Sequence, residues 1–364
     1  MATRLEDLAL TETDTFPIRH EGQVYEGKVR TVYWLTQNDS SKVLSKLGKQ
    51  INGEIGIMII SDRISAFNSN WKGDELKGVP GKGASLNAVS EYWFREFAKE
   101  GFACTHLLEV PHPLVWIVRK AQPIKIEAVL RHYITGSLLK EYKEGARTFC
   151  GITLDEGLKE HQKLRELLFT PTTKGTLKGL RRIPEEEDTN LTREQIIENY
   201  SPLGFDIVDD INQLERLAII AFNFISRKLS ETGQIFVDTK FEFGYFITKN
   251  RWKELGYIDE VGTPDSSRIW DAKSYESGKV IENSKEFFRK FLKDNLDNEL
   301  LTDEKRKSER EKLARKYNVP ADVFIKISDI YIKMVKEITG KNLPKIEKPR
   351  EEIMDVLSKL GILE

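Results

Sequence analysis

The stretch IFVDTKFEFG, residues 235–244, constrains the fold more than any other part of the chain. Aromatic and β-branched residues alternate with charged ones, so it reads as a strand with successive side chains on opposite faces. Val237, Thr239, Phe241 and Phe243 then share one face, and Asp238, Lys240 and Glu242 share the other. The apolar face belongs against a core. The charged face is either a solvated outer surface or the floor of a cleft, with two carboxylates around one ammonium. A cleft of that kind suits a cation and a negatively charged substrate.

The rest of the chain sets the context. Its 364 residues suffice for a large core and two lobes. A net charge of −1 gives no overall attraction to nucleic acid or to an anionic membrane. Two cysteines, Cys104 and Cys150, are too few for a disulfide framework or a structural zinc site, and read as buried small side chains in a reducing compartment. No apolar run approaches the roughly 20 residues of a membrane-spanning helix. The acidic first residues do not resemble a secretory signal, so a cytoplasmic location is expected.

Residues 1–14 read as a polar lead with a helical turn or two, and 15–120 as mostly strand and turn. Within that region the spacing of Leu86, Val89, Trp93, Phe94 and Phe97 predicts a helix over 85–101. Two strands flank the Gln122-Pro123 break, and a helix begins near Gly136. The polar run 145–205 reads as long surface loops, and 206–233 as an amphipathic helix. YIDEV is the hairpin partner of the opening strand, and residues from about 281 onward are helical and highly charged.

Four polar clusters lie where strands end. YEGKVRTVY carries Gly27, which permits close backbone approach, then Lys28 and Arg30 on one strand face, a pattern suited to polyphosphate or to plain solvent exposure. SDRISAFNSN carries Asp62 and Arg63, a local ion pair on the simplest reading, and Ser65. EAVLRHYITGS places Arg131 four residues after Glu127, and Gly136-Ser137 opens a helix, either as an anion site or as a serine cap. IDEVGTPDSSRIW gathers Asp259, Glu260, Asp265 and Arg268. Together they are the parts of a phosphoryl-transfer site. Two carboxylates packed without a cation repel by roughly 4 kcal/mol at ~4 Å in an intermediate dielectric, so paired acids favour a metal or an internal lysine such as Lys240. P-loop, dinucleotide, nucleophile-elbow and HExxH motifs are absent from the sequence.

The motifs YEGKVRTVY, SDRISAF, KGASLNAVSEYWF, EAVLRHYITGS, LFTPTTKG, VDTKFEFG and DEVGTPDSSRIW, in that order, resemble the SAICAR synthase family over about residues 18–340. The resemblance implies an α+β fold with a small antiparallel N-terminal lobe (15–120), distantly like those of kinases and ATP-grasp enzymes. A larger α+β lobe (121–340) and a helical tail (341–364) of unknown role complete it. It implies ligation of L-aspartate to carboxyaminoimidazole ribonucleotide (CAIR) with ATP and Mg2+, in purine biosynthesis. Carried over by motif, Gly27, Lys28, Arg30 and Glu127 would meet ATP, and Glu242 and Asp259 the metal. Arg131, Ser137 and Arg268 would meet CAIR, with Lys240 and Asp238 catalytic and Asp62, Ser65 and Asp265 as further substrate contacts. The partners implied are small molecules, with neither nucleic acid nor membrane; a homo-oligomer is left open. The chain has Asn68 where the family usually has Asp, and His132 where Gly is common. Rival readings are another ATP-dependent ligase or small-metabolite kinase, and a nucleotide-binding protein without turnover. HRD and DFG are absent, which argues against a protein kinase.

Overall fold

A single strand, Gln234–Ile247, runs through the middle of the larger sheet and pairs with four others. We describe a computed structural model covering residues 9–248, 250 and 252–364, so the first eight residues of the polar lead lie outside the described residues.

The first sheet is antiparallel, with strands β1 (Tyr25–Glu26), β2 (Arg30–Trp34), β3 (Ile55–Ile60), β6 (Leu107–His112) and β7 (Val115–Arg119) in the order β1-β2-β3-β7-β6. Helix α1 (Gln37–Lys46) was not expected from the pattern; Thr36 caps it by accepting from the Asp39 N–H. Strands β4 (Ile64–Ala66) and β5 (Ser69–Trp71) form a separate hairpin. Its turn residues Phe67 and Asn68 both have positive φ, as a tight hairpin turn requires. Helix α2 (Lys82–Lys99) begins three residues before the expected start at 85, and buries Leu86, Val89, Trp93 and Phe97.

The second sheet contains β8 (Gln122–Pro123), β9 (Ile126–Tyr133), β12 (Lys163–Phe169), β13 (Thr172–Thr173), β14 (Gln234–Ile247), β15 (Lys253–Ile258) and β16 (Ser267–Asp271). Helix α3 (Gly136–Lys143) follows β9, and β10 (Thr148–Phe149) pairs with β11 (Ile152–Thr153). Helices α4 (Arg193–Glu198) and α5 (Asp209–Ser230) precede β14. The region 145–205 is therefore not only loop. Strand β12 pairs with β9 through a register shift, and its identity comes from that partner rather than from its own sequence, KLRELLF, which does not alternate strictly. Helix α5 covers the sheet with Leu214, Ala218, Phe222 and Ile225.

Strand β14 departs from simple alternation. Phe236 lies opposite Ile269 and Asp238 opposite Arg268, so Val237 is the extra residue of a bulge. Phe236 joins Phe241 and Phe243 in the main core, while Val237 packs with Tyr133 and Trp270 in a separate cluster. The expected face of Val237 is thus corrected. The face bearing Asp238, Lys240 and Glu242 is unaffected, because the bulge precedes it.

Helices α6 (Ala272–Glu276), α7 (Glu286–Asn295), α8 (Asn298–Thr302), α9 (Lys307–Lys316), α10 (Ala321–Thr339) and α11 (Pro349–Leu360) complete the chain. Phe288, Phe324, Tyr331, Ile353 and Leu357 from this region share one core with Ile57, Ile59 and Trp71. The C-terminal helices therefore return to the first sheet. Lys46 Nζ donates to the Leu360 carbonyl at 3.0 Å, and the Glu364 N–H donates to Pro17 O at 2.9 Å. The residues after 341 are thus built into the chain's own core. Cys104 and Cys150, expected to be buried, are half-buried and free. No described helix is long and apolar enough to cross a membrane.

Leu357→Ala should remove about 2–5 kcal/mol of stability. Urea unfolding checks this; an unchanged midpoint would mean that α11 does not share the core of the first sheet.

Candidate active site

Strands β9 and β14 pair with Arg131 opposite Asp238 and Val129 opposite Lys240. That register puts Glu127 and Arg131 on the same face as Asp238, Lys240 and Glu242. Each charge there has a partner. Lys240 Nζ lies 2.6 Å from Glu127 Oε2. Glu242 is paired with Lys174, from the loop after β13. Asp238 accepts from Arg268 Nη1 at 2.6 Å and from the Arg268 backbone N–H at 3.2 Å. Lys240 therefore compensates Glu127 rather than the two acids beside it on β14. Glu127, expected near the nucleotide, holds Lys240. Asp238, expected among the catalytic groups, is buried with both oxygens committed to Arg268.

Arg131 is buried and donates from Nε to Thr170 Oγ1 at 3.0 Å and from Nη2 to Ser137 Oγ at 3.2 Å. Ser137 thus serves Arg131 and is not a plain helix cap. Arg268 Nη2 reaches Glu286 Oε2 at 3.2 Å. Gly136 permits this close approach: a Cβ there would stand 2.6 Å from Arg268 Nη2, and its φ is +58°. Arg131, Ser137 and Arg268 are accordingly brought together, as the sequence suggested.

The first sheet contributes Arg30. It is buried at the start of β2 and pairs with Asp259 at 3.2 Å and Glu260 at 2.9 Å. The expected strand face shared by Lys28 and Arg30 does not exist. Residues 27–29 form the turn between β1 and β2, closed by the Gly27 N–H donating to Arg30 O at 2.7 Å. Lys28 is left exposed on that turn, with Nζ 2.6 Å from Asn68 Oδ1. Arg63 pairs with Glu26 at 2.6 Å, not with Asp62. Asp62 is buried and accepts from the backbone N–H groups of Leu10 and Gly83, each at 2.8 Å. Asp265 is buried against Lys82, Lys285 and Tyr331. Both acids, expected to touch substrate, thus have both oxygens engaged by the protein. Ser65 is buried on β4 opposite Asn70.

Electrostatics mark the site further. Burial first, then the Asp259 carboxylate, push Glu242 up to about 7, against the pull of Lys174. Burial opposes ionisation of Asp259 too, but Arg30 and Lys174 hold it below the ordinary carboxylate range. Burial would lower Lys240, but Glu127 and Asp188 outweigh it and raise it. Asp259 has φ +59°, a left-handed conformation uncommon for a non-glycine residue.

The described residues contain no cluster of three or more metal-ligating side chains. Magnesium does not need one, since it takes one or two carboxylates and completes its shell with water and phosphate oxygens. Glu242 and Asp259, close enough to perturb each other, fit that donor set. A cleft of about 770 Å³ is lined by Lys140, Thr176, Glu187, Thr302 and Lys305 among others; Glu242 and Asp259 are not among its lining residues. Sequence reasoning did not single out Lys174 or Glu286; Glu260 stood in the fourth polar cluster, without its partner Arg30. Lys174 stood in the quoted motif LFTPTTKG, which was its one visible signal; Glu286 looked like an ordinary surface-helix residue.

The SAICAR synthetase family model matches residues 23–304. The chain is 50% identical over 359 residues, 98% of each chain, to the phosphoribosylaminoimidazole-succinocarboxamide synthase of Vibrio parahaemolyticus serotype O3:K6 (strain RIMD 2210633). It is 48% identical over 357 residues, 97% of each chain, to the synthase of the same name from Shewanella frigidimarina (strain NCIMB 400). Among solved structures, a SAICAR synthase from Saccharomyces cerevisiae complexed with SAICAR superposes with a TM-score of 0.65 at 26% identity, covering 93% of this chain and all of the yeast chain. The motifs, the fold and these matches agree: the chain belongs to the SAICAR synthetase family, the ligases of purine biosynthesis that bear the name phosphoribosylaminoimidazole-succinocarboxamide synthase.

Proposed function

We propose that this chain joins L-aspartate to CAIR with ATP, giving SAICAR, ADP and phosphate through an acyl phosphate. The observation that carries the reading is the charged face of β9 and β14, where arginines and lysines stand in fixed positions against buried acids. The yeast relative's bound SAICAR supports a product of this class.

The chemistry follows from the substrates. The CAIR carboxylate is a poor electrophile, so one of its oxygens attacks the γ-phosphorus of ATP and ADP leaves. The aspartate amine then attacks the acyl carbon, an amide forms, the amine loses a proton, and phosphate departs with one carboxylate oxygen. Three anions must be held together, and the protein's part is positioning and neutralisation. Arg131, Ser137 and Arg268 suit the CAIR phosphate, because a guanidinium fork matches phosphate geometry. Lys240, oriented by Glu127, suits the reacting carboxylate. Lys28 and the turn at Gly27 suit the nucleotide phosphates, between a lobe of residues 15–120 and one of 121–340. Arg30 acts one step back, holding Asp259. Glu242 and Asp259 would hold magnesium, which when bound supplies positive charge to the nucleotide phosphates.

The direct test is ADP release with Mg2+, ATP and CAIR, with and without L-aspartate, while product is followed. Aspartate-dependent ADP and SAICAR together are expected; ATP binding without turnover would overturn the reading and support a nucleotide-binding role. Glu242→Gln should lower Mg2+-dependent turnover by roughly a hundredfold or more. Its thermal midpoint should hold, since half-exposed Lys174 can turn to water. Near-normal turnover would remove Glu242 from the metal site. Arg268→Lys keeps a charge for Asp238 but loses the fork; the CAIR KM should rise about tenfold while the ATP KM stays within about twofold. Equal changes in both would contradict the CAIR assignment.

A further inference from the structure

Asp265 lies in the loop between β15 and β16 that carries Asp259 and Glu260 at one end and leads into Arg268 at the other. Its Oδ2 accepts from Lys82 Nζ at 2.9 Å and stands 3.3 Å from Lys285 Nζ. Its Oδ1 accepts from the Tyr331 hydroxyl. Lys82 belongs to α2, Lys285 precedes α7, and Tyr331 belongs to α10, so three helices converge on one carboxylate.

The charges do not balance. Lys82 is wholly buried and neutralises Asp265 by itself. Lys285 brings a second ammonium to the same oxygen with only 13% of its side chain exposed. A stability argument alone does not account for it, since a second buried ammonium costs desolvation and is repelled by the first. Its placement does have a geometric consequence. The Lys285 N–H donates to Pro264 O at 2.9 Å, and the next residue, Glu286, holds Arg268 Nη2 at 3.2 Å and Arg289 Nη1 at 3.0 Å.

We propose that Lys285 is a positioning residue for the ligase reaction: its ammonium, drawn to Asp265 beside Lys82, fixes the start of α7 on the 259–268 loop and thereby sets Glu286 against Arg268. This rests on the function proposed above. The groups facing Lys285 are Asp265 and Glu260 from the loop, Lys82 from α2, Tyr331 from α10 and Arg289 from α7 itself. Burial, opposed by Asp265 and reinforced by Arg289 and Lys82, pulls Lys285 down to about 8. Its folded value therefore lies below the unfolded value of about 10.4, so the folded state binds fewer protons between the two. Stability is reduced below about pH 8 and recovers as pH rises through that window.

The test uses the full-length enzyme and two substitutions, Lys285→Met and Lys285→Arg. Lys285→Met should melt at pH 7 no lower than the wild type, because the balanced Lys82–Asp265 pair remains. Its kcat/KM for CAIR should fall roughly tenfold, with the ATP KM unchanged. The wild type should lose activity above about pH 8 as Lys285 deprotonates, and Lys285→Arg, which stays charged, should restore kcat/KM and abolish that decline. Unaltered kcat/KM in Lys285→Met would overturn the proposal, as would a lowered melting point with a proportional loss toward both substrates, or an alkaline decline that persists in Lys285→Arg. CAIR affinity by calorimetry carries the same comparison without turnover. A wild type that forms no SAICAR would sink the ligase reading, while the weaker CAIR binding expected of Lys285→Met would still test Lys285.

Discussion

The pairing of β9 with β14 is the constraint on which the site depends, because it sets Arg131 across from Asp238 on a buried face. A charge in that position must be matched, and its match must be matched in turn. The result is a continuous line: Arg131 beside Asp238, Asp238 on Arg268, Arg268 on Glu286, and Glu286 on Arg289. Removing one member of such a buried pair typically costs 3–5 kcal/mol, because the other charge is left stranded. The line is therefore rigid, and a rigid line of guanidinium groups is what a phosphate-bearing substrate needs.

A second line joins the two sheets. Arg30 from the first sheet holds Asp259 and Glu260 at the end of β15, and Lys82 from α2 holds Asp265 in the same loop. The C-terminal helices add a third tie by filling the core beneath the first sheet and sending Lys285 and Tyr331 to Asp265. Ion pairs from both sheets and from the C-terminal helices thus meet on one loop, residues 259–266. The near-zero net charge of the chain is mirrored here, where these cations stand against acids of the same network.

The strand at 235–244 was legible because its alternation separates an apolar face from a charged one. The bulge at Val237 was not, since β16 imposes it from outside the strand. The charged triad was visible, but its partners were not: Lys174 lies 68 residues from Glu242 and Glu127 113 residues from Lys240, so spacing could not connect them. Arg30 looked like an exposed strand residue because the turn at 27–29 breaks the alternation that would pair it with Lys28. Helix α1 and strand β12 escaped for a common reason. Both are short and lack a clean apolar period, and tertiary contacts decide them. The motifs named the family, while the ion pairs that the motif residues make emerged only with the fold.

In the proposed reaction the site activates a carboxylate by phosphorylating it. The most direct measurement uses CAIR labelled with 18O in its carboxylate, together with Mg2+, ATP and L-aspartate, and reads the label in the released phosphate by mass spectrometry. An acyl phosphate requires one labelled oxygen to pass from the carboxylate to each phosphate formed. Phosphate free of label, alongside normal SAICAR formation, would contradict it.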